Sequence, residues 1–207
     1  MCLIQKYFPG LTDEQIDRFN KLEVLFKEWN EKVNLVSRKD IDNFKVSHLL
    51  HSLSIAKFIN FKLGTKVMDL GCGGGLPGLP LAIMFPKVHF HLIDRIGKKV
   101  NAASDMAVKL GLKNVSFQHG DSGECREKFD FVVSRAVMPQ KDLVKVIKNN
   151  IEGECSNDIG NGLIALKGGD LVEELKGLEK RSTVKDISDY FSEDFFTTKK
   201  IVYTKLV

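Results

Sequence analysis

Nothing in this 207-residue sequence supplies a cysteine framework. Its four cysteines, Cys2, Cys72, Cys125 and Cys155, stand far apart, and no two share a CxxC spacing. That excludes a structural zinc site of the usual spacing and a disulfide-stapled fold. Long apolar runs are missing too: no stretch reaches the ~18 consecutive apolar residues of a membrane span. Met1 to Phe8 holds no signal-peptide core, so the expectation is a cytoplasmic protein with nothing removed from its N-terminus. Charge of one sign is also scarce. The 31 Lys and Arg stand against 27 Asp and Glu, a net of +4, which permits a nucleic-acid partner without requiring one. What is present, 43% hydrophobic and 28% charged residues, is ordinary for a folded protein and excludes wholesale disorder. At roughly 100–200 residues per domain the chain is one domain with additions, and its core needs no metal.

Residues 12–29 read as an amphipathic helix. Thr12 and Gln15 form a capping box, and Ile16, Phe19, Leu22, Phe26 and Trp29 recur at three- and four-residue spacings. A loop is expected over 30–38 and a second helix over about 40–60. From Gly64 onward short apolar strands alternate with helices. Strands are expected at 66–70, 88–93, 115–118, 129–134 and 163–167, and within 183–190 and 200–207. Helices are expected from 77 or 78 to before Pro86, and at 98–110, 141–149 and 171–176. Such alternation means an α/β fold: a mainly parallel, Rossmann-like sheet with helices on both faces. The expected division is a helical extension, 1–62, packed on a single core, 63–207. The polar stretch 152–161 is expected to be a mobile surface loop.

The strongest local signal is Asp69-Leu70-Gly71-Cys72-Gly73-Gly74-Gly75, which follows a strand and opens a helix. Glycines there let the backbone turn sharply and let a ligand approach it. Asp94 closes the next strand, where a carboxylate grips ribose hydroxyls. A bare tight turn, with Asp94 capping the helix after it, is the bland alternative. Two ligands fit such a turn, a nicotinamide dinucleotide and S-adenosylmethionine. The carboxylate of Asp69 beside the turn, and the Gly71-x-Gly73-x-Gly75 spacing, favour the second. A carboxylate suits an ammonium and a sulfonium and opposes a pyrophosphate. The alternative function is a nicotinamide-dependent oxidoreductase.

Methyl transfer from a sulfonium depends on aligning nucleophile, methyl and sulfur. The segment after the fourth strand, Ser134-Arg135-Ala136-Val137-Met138-Pro139, lacks the Asn/Asp-Pro-Pro-Tyr/Phe pattern used on exocyclic amines and the cysteine used on pyrimidine C5. No metal triad for catechol oxygens is visible, and His48 with His51 lacks a third ligand. A purine ring nitrogen with a free lone pair, such as guanine N7, needs no general base. It needs basic groups around O6 and N7, and Arg135 and Lys167 lie at the ends of two successive strands. Surface ion pairing is the bland reading of both. Lys32, Arg38, Lys39, Arg95, Lys98 and Lys99 are candidate phosphate contacts. Trp29 reads as a core residue in preference to a base-stacking one, and Cys72 as packing.

The run Asp69–Ala82, with its Gly-Leu-Pro-Gly-Leu-Pro half, resembles the RsmG family, also called glucose-inhibited division protein B. So do Trp29-Asn30 with Asn34-Leu35, His48-Leu49-Leu50-His51-Ser52, Leu92-Ile93-Asp94 with Gly97-Lys98-Lys99, and Ser134-Arg135-Ala136 with Ala165-Leu166-Lys167-Gly168. The resemblance spans about residues 12–207. It implies a class I S-adenosylmethionine-dependent methyltransferase making N7-methylguanosine in the decoding region of 16S ribosomal RNA, with the small subunit or its RNA as partner and no metal or membrane. On that basis Gly71 and Leu76 line the methionine end of the cofactor, with Asp69 and Gly73 of the same turn as further cofactor-binding candidates. Asp94 belongs to the ribose, Ser122 and Gly123 to the adenine, and Arg135 to the closure of the pocket. Lys167 and Arg135 are the catalytic candidates. Asn34, Arg38, His48, Lys98 and Lys167 are the substrate-side candidates, and a monomer is expected. The chain departs from the family at Ser47 (usually Arg), His51 (Asp), Arg95 (Ser), Asp121 (Arg) and Ser122-Gly123 (Ala/Val-Glu). Loss of activity through these departures would leave an inert cofactor- or RNA-binding homologue.

Overall fold

The computed structural model describes residues 3–135 and 138–207. Ala136 and Val137 of the Ser-Arg-Ala segment, and the side chains of Arg38 and Lys39, lie outside the described parts. After α1 (Leu3–Tyr7), α2 (Asp13–Lys32) starts on the expected capping box, Thr12 with Gln15, and buries Phe19, Leu22, Leu25 and Phe26. It runs past the expected loop boundary. Buried Asn30 accepts the N–H groups of Leu35 and Val36, both at 2.9 Å, and so organises the turn that follows. The second helix is three pieces: α3 (Arg38–Ile41), a wider π-helical turn over Lys45–Leu50, and α4 (His51–Phe58). Residues 47–55 are buried on every side, so no single apolar face marks where these pieces begin and end.

The remaining elements fall within two residues of expectation. They are β1 (Lys66–Leu70), α5 (Gly78–Met84), β2 (His89–Asp94), α6 (Gly97–Lys109), β3 (Val115–His119), β4 (Phe131–Arg135), α7 (Gln140–Ile147), β5 (Gly162–Gly168), α8 (Val172–Leu175), β6 (Ser182–Asp186) and β7 (Lys199–Lys205). They form one sheet in the order β3-β2-β1-β4-β5-β7-β6. Neighbours from β3 to β5 are parallel, and β7 is antiparallel to β5 and β6. The central strands are apolar on both faces, as a sheet covered on both sides requires.

Alternate residues of each strand feed two cores. Val67, Phe90, Leu92, Phe131 and Ile164 pack with α2, α4, α5 and α6. Met68, Ile93, Val132 and Leu163 pack with Leu143 and Ile147 of α7. Leu22, Phe26 and Phe44 of the N-terminal helices thus share a core with the sheet. The stretch 152–161 departs from expectation. Asn157 accepts the Lys62 N–H at 3.0 Å and bonds Thr65, while Asn161 is fully buried and donates to the carbonyls of Glu152 and Glu154. The polar residues that suggest a free loop are the ones that tie it down.

Candidate functional site

At the switch point between β1 and β4 the strand ends open into a cleft of about 560 Å³. Its floor is the glycine turn. Gly71 and Cys72 donate their N–H groups to Ile93 O at 2.9 and 3.1 Å, which ties the exit of β1 to β2. Gly71, Gly73 and Gly75 all have positive φ, at 72°, 53° and 91°. Side chains rarely tolerate that conformation. A Cβ on Gly73 would meet nothing within 4 Å, so this backbone faces open space. Gly74 is glycine for another reason: its Cβ would stand 2.8 Å from Leu35 and 2.9 Å from Phe26. Helix α2 and the turn that follows it therefore press directly on the glycine turn, and Phe26, Leu35 and Val36 form one wall of the cleft.

Asp94 ends β2 on the opposite wall. Its Oδ2 accepts the Gly73 N–H at 2.8 Å and its Oδ1 accepts the Ile96 N–H at 2.8 Å, so one carboxylate fastens both loops while lining the cleft. Asp69 sits elsewhere. It is fully buried beneath the turn and does not line the cleft. Its Oδ2 accepts the Gly78 N–H at 2.7 Å, and its Oδ1 has no partner among the described residues. Burial pushes this carboxyl up to about 7, against the Gly78 N–H and the Arg135 charge, which pull it down. The sequence expectation of a carboxylate facing a cationic ligand gives way to a buried brace for the start of α5.

Ser122 lines the cleft and Gly123 does not; both belong to a short turn capped by Asp121, which accepts the Gly123 N–H at 3.0 Å. Asp121 also pairs with Arg95. Both residues line the cleft, so this ion pair sits at its mouth.

Arg135 closes β4 and lines the cleft. Its Nη1 donates to His48 Nδ1 at 2.8 Å. Burial, with the Arg135 charge beside it, pushes His48 down to about 4, so its ring is neutral and free to accept. Burial also lowers Arg135 to about 10, while Asp69 and Asp40 hold it up. His48 is therefore behind Arg135 and does not line the cleft. His51 is buried against Phe195 and Phe196 and is pushed down to about 3, mainly by burial.

The other expected substrate contacts are spread out. Lys98 is exposed, and its neighbour Lys99 lines the cleft. Asn34 lines a separate cavity of about 450 Å³ with Lys27, Glu31 and Asp42. Lys167 does not line the cleft: its ammonium donates to Met138 O at 2.5 Å and pairs with Glu174 at 2.6 Å. Trp29 is half-buried and donates to Asp105 at 2.7 Å, in keeping with a packing role. Sequence reasoning missed the apolar wall residues Ile96, Met138 and Val146, which carry no motif of their own. Among the described residues no three His, Cys, Asp or Glu side chains could share a metal ion, and no helix is long and apolar enough to cross a membrane.

Solved structures with this fold include an S-adenosylmethionine-dependent methyltransferase from Aquifex aeolicus, with a TM-score of 0.58 and 19% identity, covering 83% of this chain and 100% of that one. An O-methyltransferase from Thermotoga maritima also gives 0.58 at 19% identity, covering 81% and 70%. At those identities the likeness fixes the fold alone, that of the class I S-adenosylmethionine-dependent methyltransferases. Sequence relatives are much nearer. The ribosomal RNA small subunit methyltransferase G of Bacteroides thetaiotaomicron is 53% identical over 206 residues, covering 100% of both chains. That of Porphyromonas gingivalis is 48% identical over 205 residues, covering 99% of this chain and 93% of the relative. The family model described as rRNA small subunit methyltransferase G matches residues 15–202, and the chain belongs to that family.

Proposed function

We propose that this protein transfers a methyl group from S-adenosylmethionine to N7 of a guanine in 16S ribosomal RNA, acting in the cytoplasm as a monomer on the small subunit or its RNA. The observation that carries the reading is the cleft itself, at the carboxyl ends of β1, β2 and β4, in a chain of this family. Its volume of about 560 Å³ suits a nucleoside-sized ligand. The open space over Gly73 gives a backbone surface that a ligand can approach closely.

Bound there, S-adenosylmethionine supplies an electrophilic methyl on a sulfonium. The chain's own residues do the rest. Gly71, Gly73 and Leu76 hold the methionine end against the turn. Asp94 takes the ribose hydroxyls while still anchoring Gly73. Ser122 is the residue of this turn that meets the adenine, while Gly123, outside the cleft with its N–H on Asp121, shapes the turn behind it. Asp69 acts from below, setting the turn through Gly78. No residue has to remove a proton, since guanine N7 carries a free lone pair. The base must instead be held in line, and Arg135, at the end of β4, is placed to donate to guanine O6. Lys98 and Lys99 are the phosphate contacts in this reading.

The test is to incubate purified protein with labelled S-adenosylmethionine and small subunits from cells lacking it, then digest the RNA to nucleosides. The expected product is N7-methylguanosine in 16S RNA. No label in the RNA despite intact cofactor binding would leave an inert homologue, and label at another atom would remove the ring-nitrogen reading.

A further inference from the structure

We infer that Lys167 and Glu174 form a clamp on residues 138–140 at the start of α7, which makes Glu174, on α8 outside the cleft, a positioning residue for the base-binding half of the site. The inference rests on the methyltransferase reading above and adds a residue to it.

Lys167 is the penultimate residue of β5, and its side chain is only 10% exposed. An ammonium so placed needs partners to replace its water. It has two: the carbonyl of Met138 at 2.5 Å and Oε1 of Glu174 at 2.6 Å. The same Oε1 accepts the Gln140 N–H at 2.7 Å, and Gln140 is the first residue of α7. One ammonium and one carboxylate oxygen therefore hold both ends of residues 138–140. Met138 is itself part of the cleft wall, as is Arg135 at the end of β4. The sheet register explains why Lys167 is the residue in reach. β4 and β5 are parallel, and Arg135 pairs with Leu166, so the next residue of β5 lies beside the exit of β4.

A lysine spent in this way shapes the wall and does not touch the base. Two readings of Lys167 thus separate on Glu174. If Lys167 contacts RNA, removing Glu174 frees its ammonium, and activity holds or rises. If it clamps the loop, removing Glu174 lets Met138 and the start of α7 shift, and activity falls as it does without Lys167.

The experiment compares Glu174→Ala, Glu174→Gln, Lys167→Met and the Lys167→Met/Glu174→Ala double variant. Methylation of small subunits, affinity for S-adenosylhomocysteine and amide exchange at Gln140 are followed in each. The clamp requires kcat to fall about tenfold or more in both Glu174→Ala and Lys167→Met, an effect of displaced positioning. The double variant should be no worse than Lys167→Met. Affinity for S-adenosylhomocysteine should stay within about threefold, since that half of the cleft is built on β1 to β3. Exchange at Gln140 should quicken in Glu174→Ala. Glu174→Gln keeps an acceptor for Gln140 but loses the charge, and should fall between wild type and Glu174→Ala. Full activity in Glu174→Ala, or losses that multiply in the double variant, would overturn the clamp. An inactive wild type would overturn the methyltransferase reading instead, and Gln140 exchange would still decide whether the clamp exists.

Discussion

The two halves of the cleft are built by different means. The half around Gly71–Leu76 and Asp94 is made of backbone: positive-φ glycines, N–H groups bonded to Ile93 O, and one carboxylate holding two loops. The half around Arg135 depends on long side chains held by residues distant in sequence: His48 behind Arg135 in the wall, and Glu174 behind Lys167, whose ammonium bonds the carbonyl of the wall residue Met138. A backbone half tolerates few substitutions at any of its positions. A side-chain half concentrates its function in a few pairs, each of which can be broken alone.

The largest effect of breaking that contrast is expected at Asp94. Asp94→Asn weakens two bonds from backbone N–H groups and, in the proposed site, the grip on the ribose, so affinity for S-adenosylhomocysteine should fall about ten- to a hundredfold, as the loss of charged hydrogen bonds implies. Calorimetry checks this; unchanged affinity would take Asp94 out of the site. The next effect belongs to the other half. His48→Leu removes the acceptor for Arg135 Nη1 and should cost about tenfold in kcat with little change in cofactor affinity. His48→Asn, whose amide oxygen sits where Nδ1 does, should restore most of it. Equal losses in the two variants would reduce His48 to packing.

A smaller effect concerns pH. The native Asp69 carboxyl lies near 7, above its ordinary range, so the folded protein keeps a proton that the unfolded chain has lost. Its contribution is present in acid and declines as pH rises through about 7. His48 and His51, neutral in the fold, act oppositely: their protonation of the unfolded chain penalises folding below the ordinary histidine range. In Asp69→Asn the declining contribution is gone. The melting temperature of this variant relative to wild type should therefore rise by a few degrees between about pH 5 and pH 8. A constant difference would mean that Asp69 is ionised throughout. The smallest effect is at the mouth. Arg95–Asp121 is an exposed pair, so Arg95→Ser should change cofactor affinity by less than about fivefold, and less still at high salt. A greater loss would make the pair part of the binding surface.

The same contrast explains what was legible beforehand. A glycine turn after an apolar strand, with an aspartate at the end of the next strand, is local information, so β1, its turn and Asp94 could be read from their neighbours in the chain. Asp69 was legible as a residue but not as a brace, because its partner is the N–H of Gly78. Lys167 was legible as a strand-end cation. That its charge is taken up by Glu174 and Met138 depends on how α8 folds back, which no local pattern encodes. The pieces after Ser37 were obscure for a further reason, since residues 47–55 are buried all round and carry no helical stripe. Arg95 and Asp121 stand apart in the sequence, and only the fold brings them together.

The most direct measurement is a crystal structure of the protein with S-adenosylhomocysteine. The thioether product should lie in the cleft with its ribose hydroxyls on the Asp94 carboxylate, its amino-acid end over Gly71 and Gly73, and its sulfur turned toward the Arg135 side. A by-product lodged in another cavity, or one bound without contact to Asp94, would contradict the assignment of the two halves and the chemistry built on it.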